Sequence, residues 1–370
     1  MADLRVYYDD AALAHVPPSG EFDLPWSGRL AVKHQHPDRR ERVENVVAMV
    51  RSELDDVTTW ASVDPASRAE LERVHAPAYV DEIREWAADG GGRRSPETGG
   101  NAETYRAAVT AAGGAIAAAR HAVDDGLPSV PYALARPSGH HAQPAQSDGF
   151  CFFNNVAVAA EDLLATGRAD DVAILDWDVH HANGTQESFY DRDDVLVVSI
   201  HGDHDSWDPE THPQSCDLTE QGAGDGTGYT VNVPLPAGTG DDGYRYALDE
   251  LVEPVLAAFD PDALLVSAGQ DPGTMDPLGR NTVTKAGFES LGATARQFAD
   301  DYADGSLAIV QEGGYHITHL PYATLGVLEG ALDHETGIED PFAWMPGDTE
   351  SARRAIDDAV AAHSEYWPLD

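Results

Sequence analysis

"ILDWDVHHANGTQ", residues 174–186, is the stretch on which the reading of the chain turns. An apolar run, Val172 to Leu175, gives way to Asp176, Asp178, His180, His181 and Asn183. In an extended strand alternate side chains share a face. Asp176, Asp178 and His180 then point one way, and Trp177, Val179 and His181 the other. Nitrogen and oxygen donors gathered on one side of a strand tip suit zinc with an open coordination position. A solvated strand end with a histidine-capped turn is the other reading of the same residues.

Similar runs recur along the chain: Val130–Leu134, Val195–Ile200, Ala263–Val266 and Leu307–Val310. Between them lie segments of helical spacing, such as Val43, Val46, Val47, Val50 and Leu54, and the alanine-rich Ala107–Ala119. Strands alternating with helices predict an α/β fold, a parallel sheet flanked by helices on both faces. Ligands of such sheets sit beyond the carboxyl ends of the strands. Each run leads there into a polar cluster: "ARPSGHHAQPAQSDGFCFFNN", "DWDVHHANG", "HGDHD", "SAGQD" and "QEGGY". Scattered polar residues would not fall at five strand ends.

"SAGQD" supplies Asp271, a carboxylate from a separate strand. With Asp178 and His180 it makes a three-ligand set that leaves a position for water, the catalytic pattern. His140 and His141 offer a general base, which must be a neutral imidazole held in one tautomer by an acceptor. Asp176 and Asn183 are the expected orienting partners. Tyr315 follows two glycines and could turn a phenol toward a bound carbonyl, although such a tyrosine also serves packing.

These segments resemble the successive signatures of the histone deacetylase family: "RPSGHHAQ", "GFCFFNN", "DWDVHHANGTQ", "SAGQD", "DPLGR" and "QEGGY", preceded by "HPDRRERV" and "VHAPAYV". They are most similar to its class II-like branch of histone deacetylase-like and acetylpolyamine amidohydrolases. The resemblance covers about residues 15–330 of a single domain spanning 1–370, with a helical tail expected over 331–370. It implies an arginase/deacetylase fold with a mostly parallel eight-stranded sheet, and one Zn2+ held by Asp178, His180 and Asp271. It further implies hydrolysis of an N-acetyl amide, with His141 as general base, His140 as its electrostatic or acid partner, and Tyr315 donating to the oxyanion. Asp176 would pair with His140, and Asn183 with His141. Gly149, Phe150 and Gly314 would line the acyl tunnel, and Glu97 would grip substrate at the rim. Asp176, Ser199 and Ile200, with the carbonyls of Asp178 and His180, match the family's inner potassium site. Two positions depart from the usual motifs: Ser138 stands where proline is usual, and Ala182 replaces a glycine. The wall opposite Phe150 does not align, and Trp207 and His212 are candidates for it.

Composition narrows the field further. The chain has 370 residues, 65 acidic against 23 basic, for a net charge of −42. Its acids are spread along the length rather than gathered in a tail, which points to a uniformly acidic surface adapted to salt, as in a halophile. Nucleic-acid binding, which needs a basic face, is not expected. No apolar run approaches a membrane span, no secretory leader is evident, and two cysteines cannot staple a fold. A cytoplasmic protein is therefore expected, with homo-oligomer formation open. The substrate would be an acetylated lysine side chain or an acetylpolyamine. A two-manganese ureohydrolase needs carboxylates where Ala182 and Asn183 stand, and a silent acetyl-lysine-binding relative would have lost the histidines or the tyrosine. The glycine-rich "GAGDGTG" (222–228) precedes a strand and has the wrong geometry for a phosphate loop. His201, Asp203 and His204 read as a solvated loop, Cys151 as a packed thiol, and His181 as a packing and hydrogen-bonding residue.

Overall fold

The computed structural model describes residues 3–22, 24–126, 128–203, 216–344, 347 and 349–369. His204, Trp207 and His212 lie outside the described residues. Ten strands form in chain order: β1 (Asp3–Tyr7), β2 (Thr58–Ala61), β3 (Gly91–Arg93), β4 (Gly99–Asn101), β5 (Ser129–Ala133), β6 (Val172–Asp176), β7 (Val195–Gly202), β8 (Thr230–Leu235), β9 (Ala263–Ala268) and β10 (Leu307–Gln311). β3 and β4 make a small antiparallel hairpin, and the other eight form one sheet in the order β2-β1-β5-β10-β9-β6-β7-β8. Every pairing within that sheet is parallel, a purer arrangement than the expected mostly parallel one.

Period-two alternation feeds a hydrophobic layer on each face of the sheet. From β6, Ala173 and Leu175 join one layer, with Trp177 just beyond the strand, while Val172 and Ile174 join the other. β10 divides likewise, Leu307 and Ile309 against Ala308 and Val310. Helices Glu41–Glu53, Lys285–Tyr302 and His319–Leu332 supply the first layer. The second receives the alanine-rich helix Thr104–Asp125 through Ala111, Ala115, Ala118, Ala119 and Ala122. The apolar stripe read over 43–54 thus belongs to a real helix, whose Val43, Val46, Val47 and Val50 are buried. Among the described residues no helix is long and apolar enough to cross a membrane.

Two expectations need correction. Among the described residues after Leu332 the one helix is Glu350–His363, so the tail is only partly helical there. It docks on the sheet side of the chain, where the Trp367 indole N–H donates to the Gly228 carbonyl over 2.8 Å. The strand at the opening motif also ends sooner than the alternation assumed. β6 stops at Asp176, and residues 177–182 form no regular element, because side chains there capture backbone N–H groups. Asp176 Oδ1 accepts the Asp178 N–H over 2.9 Å, and Asp178 Oδ1 accepts the His180 N–H over 3.0 Å.

The strand order explains where a site can form. After β5 the chain jumps to β6 and continues outward to β7 and β8, and β9 and β10 return later to fill the gap. The gap is a topological switch point, where the carboxyl ends of the strands leave a crevice. The loops after β5, β6, β9 and β10 open into it together.

Candidate metal and acyl-transfer site

Asp178, His180 and Asp271 are brought together from the ends of β6 and β9, with one ligand atom from each within 4.8 Å of the others. His180 Nδ1 lies 3.0 Å from Asp178 Oδ1 and 3.1 Å from Asp271 Oδ2. Tetrahedral zinc with bonds of roughly 2.0–2.2 Å spaces its ligands roughly 3.3–3.6 Å apart, so the two edges that meet at His180 are close to the required length. The second carboxylate oxygens are occupied by backbone donors: Gly313 N–H on Asp178 Oδ2 at 2.8 Å and Val179 N–H on Asp271 Oδ1 at 2.9 Å. Such bonds aim a ligand before a metal arrives. Both carboxylates are fully buried. Burial, then the charge of Asp178, pushes Asp271 up to about 7. Two ionised carboxylates at this spacing therefore call for a cation, and an imidazole–dicarboxylate set suits zinc. Among the described residues this is the only cluster of the kind. Ala182 and Asn183 place no further carboxylate beside it, as a two-metal ureohydrolase would require.

Gly313 is fixed by sterics at this site. A Cβ built there would lie 2.1 Å from Asp271 Oδ2 and 2.6 Å from Asp178 Oδ2. Gly313→Ala is therefore expected to weaken metal affinity by about tenfold or more, the scale of lost ligand support. Competition against a chromophoric chelator measures it, and unchanged affinity would refute the cradle.

The two histidines follow β5. His140 Nδ1 lies 3.0 Å from Asp176 Oδ2, and His141 Nδ1 lies 2.6 Å from Asn183 Oδ1, the two expected pairings. Their rings pack at a centroid separation of 4.0 Å, yet their protonation differs. Burial pulls His140 down, but Asp178 and Asp176 outweigh it and raise it to about 10. His141 is held well below the usual histidine range by burial and by the neighbouring His140 and His180. The surroundings thus favour the cationic form of His140 and the neutral form of His141. Gly149 presses on the neutral ring, since a Cβ there would come within 2.1 Å of His141 Cδ2.

Tyr315 arrives from the loop after β10. Its ring packs edge-on against Phe150 at 5.5 Å and His180 at 6.4 Å. Burial raises the phenol well above its usual range, so it remains a hydrogen-bond donor. Gly314 carries a φ of +112°, a backbone angle that favours glycine. Glu97 sits in the β3–β4 turn, where its carbonyl pairs with the His36 ring at 2.9 Å, and His36 packs on Phe150 at 4.6 Å. The turn is thereby placed at the edge of the site. Asp176 and Ser199 are register partners on β6 and β7, with Ile200 the next residue. Ser199 Oγ lies 3.3 Å from the Ala182 N–H and 3.0 Å from His201 Nδ1. Ala182 adopts φ −76°, so its β-carbon costs nothing in place of glycine.

His201 is corrected: it is buried on β7, 2.9 Å from the Cys216 carbonyl, and is not part of a solvated loop. His181 gains definite partners, Gln186 Oε1 at 2.9 Å and Asn232 Oδ1 at 3.1 Å. Cys151 is buried, its thiol 3.3 Å from the Gly149 carbonyl, as a packed thiol would be. Several supporting groups escaped the sequence reading. Asp148 accepts from Asn183 Nδ2 at 3.1 Å, and buried Glu312 accepts the Gly139 N–H at 2.7 Å and the His140 N–H at 3.2 Å. Asp276 accepts the Tyr315 N–H at 2.6 Å. Arg42, anchored by Asp38 at 2.5 Å, donates to the carbonyls of Glu312 at 2.8 Å and Gly314 at 2.5 Å, and its guanidinium lies 4.6 Å from the Tyr315 ring centre. Of these, Asp38 and Arg42 lay in the quoted "HPDRRERV", a signal available but unread.

Comparison with known proteins follows the same geometry. Residues 36–331 match the family model described as the histone deacetylase domain. Histone deacetylase 8 of Arabidopsis thaliana is 39% identical over 370 residues, covering 98% of this chain and 97% of that protein. The histone deacetylase-like amidohydrolase of Pseudomonas aeruginosa is 36% identical over 341 residues, covering 91% of this chain and 88% of its own. A crystal structure of the HDA15 HD domain superposes with a TM-score of 0.84 at 29% identity, over 99% of this chain and 96% of that one.

Proposed function

The chain belongs to the histone deacetylase family, and from that premise we propose that it is a zinc-dependent amidohydrolase that releases acetate from N-acetylated amines. The observation that carries the reading is the histidine pair, His140 held by Asp176 and His141 by Asn183, beside Asp178, His180 and Asp271. Bound at those three ligands, zinc would polarise the acetyl carbonyl and acidify water.

The remaining chemistry falls to the chain. His141, neutral and held through Nδ1 by Asn183, takes a proton from the attacking water at its other nitrogen. His140, held cationic by Asp176, stabilises the negative charge that develops and can protonate the departing amine. Tyr315 donates its O–H to the acetyl oxygen as that oxygen gains charge. Phe150 and Gly149 exclude water around the acyl stem. Water thus supplies the hydroxyl of acetate and the proton on the released amine. Potassium at Asp176, Ser199 and Ile200 would brace the loop that carries the ligands.

Acetate release from an acetyl-lysine peptide, acetylputrescine and acetylspermidine by zinc-loaded protein tests the reading. Turnover of at least one is expected, and inertness toward all three would overturn it. Tyr315→Phe is expected to lower kcat on the order of 10²–10³-fold with little change in KM, as loss of one oxyanion donor does. Retained kcat would refute the donor role.

A further inference from the structure

Beside Tyr315 lies a cavity of about 420 Å³, lined in part by Lys33, His34, His36, Arg39 and His316. Among the described residues no carboxylate lines it; Lys33 and Arg39 bring positive charge, while burial holds the His36 and His316 rings toward their neutral forms, in a chain that carries 65 acidic residues against 23 lysines and arginines. Lys33 is one of only two lysines, and the other, Lys285, is buried against Glu329. Among the described residues neither Lys33 nor Arg39 pairs with a carboxylate, and Arg39 touches the neutral Gln35 amide. Three of the described acids near it along the sequence are committed elsewhere. Glu21 is bonded to Ser27, Asp38 is buried between Arg42 and Arg136, and Asp276 accepts N–H groups of Tyr315, His316, Leu278 and Gly279.

The cavity adjoins the proposed acyl site. Tyr315 and His36 both line it, and both pack on Phe150, at 5.5 and 4.6 Å. A stem running past Phe150 would carry its far end toward Lys33 and Arg39. We infer that this rim selects acyl amines bearing a carboxylate at the far end of the stem, as acetyl-lysine does at its main-chain carboxyl or through an acidic neighbour in a peptide. Acetylpolyamines, whose far end is an ammonium, are disfavoured. The net charge of −42 does not reverse this. At about 0.15 M salt the Debye length is roughly 8 Å, so distant acids are largely screened from Lys33 and Arg39.

The inference rests on the deacetylase reading for turnover but not for binding, so both are measured. Three chain-matched compounds serve as probes: 6-acetamidohexanoate, neutral 6-acetamidohexanamide and N-acetylcadaverine. Titration calorimetry with zinc-loaded protein is expected to rank the carboxylate tightest and the ammonium weakest, with the gap shrinking as salt rises. Lys33→Gln and Arg39→Gln should each weaken the carboxylate about two- to fivefold, the range of an exposed ion pair. In turnover the same variants should raise KM for the carboxylate and leave kcat and the neutral amide unchanged. Acetyl-lysine peptides flanked by Glu or by Lys, with blocked termini, separate the two sources of the carboxylate. A preference confined to the peptides assigns it to a neighbouring side chain, and one confined to the small compounds to a free main-chain carboxyl. Either result supports the rim. Equal or tighter binding of N-acetylcadaverine, or a ranking unmoved by both variants, overturns it. Ranked binding with no turnover leaves the rim standing and sinks the deacetylase reading.

Discussion

Asp178→Asn is expected to leave the protein with little zinc and to lower kcat/KM on the order of 10³-fold or more. The replacement keeps the side-chain volume and still offers an oxygen, so the fold loses little. What disappears is charge at the point where three donors converge. Asp178 faces His180 Nδ1 at 3.0 Å, and its other oxygen is fixed by the Gly313 N–H at 2.8 Å. An amide that keeps its oxygen on that N–H places its NH2 toward the metal position and the His180 N–H, where it can neither coordinate nor accept. Groups that merely support ligands cost about 10–100-fold when removed, and loss of a ligand exceeds that. Elemental analysis and acetate release on the same preparation check the claim, and a variant with full zinc and normal turnover would refute the ligand set.

His141→Ala should behave differently. Zinc content stays at one per chain while kcat falls on the order of 10²–10⁴-fold, the range attributed to a general base. The pH profile is the sharper readout. Burial, then the charges of His140 and His180, hold His141 well below the ordinary value of 6.5. Its base form is therefore complete at neutral pH and is lost only as pH falls through the depressed value. The acidic limb of kcat/KM should consequently lie well under pH 6.5 in the parent protein and vanish in His141→Ala. An unchanged limb in the variant would assign it to another group. Asn183 bears on the same limb, because its Oδ1 fixes which ring nitrogen carries the proton.

Much of this site is legible in the sequence. Strand ends that each terminate in polar residues locate a crevice in an α/β sheet, and Asp178, His180, Asp271, His140, His141 and Tyr315 were all found that way. Local pattern sufficed because each residue follows its strand directly, and the parallel sheet brings the ends of neighbouring strands together. Support groups were not legible by the same route. Glu312 meets the backbone at positions 139 and 140, and Arg42 meets carbonyls at 312 and 314. Those separations leave no periodic trace. The strand alternation drawn through His181 also failed in detail, since carboxylates of Asp176 and Asp178 bend the chain by capturing its own N–H groups.

By itself the sequence determined the fold class, the strands and the polar loops at their carboxyl ends, because hydrophobic period and turn chemistry are local. Tertiary structure alone set the two histidines in different surroundings and gathered Lys33 and Arg39 around one cavity. Two adjacent histidines are chemically identical in a string of letters. They diverge only when Asp176 and Asp178 face one ring, and burial and neighbouring cations act on the other. Likewise Lys33 and Arg39 are two cations in an acidic chain until folding places them around one cavity beside Tyr315. Protonation and selectivity depend on distances across the fold, which the order of residues does not record.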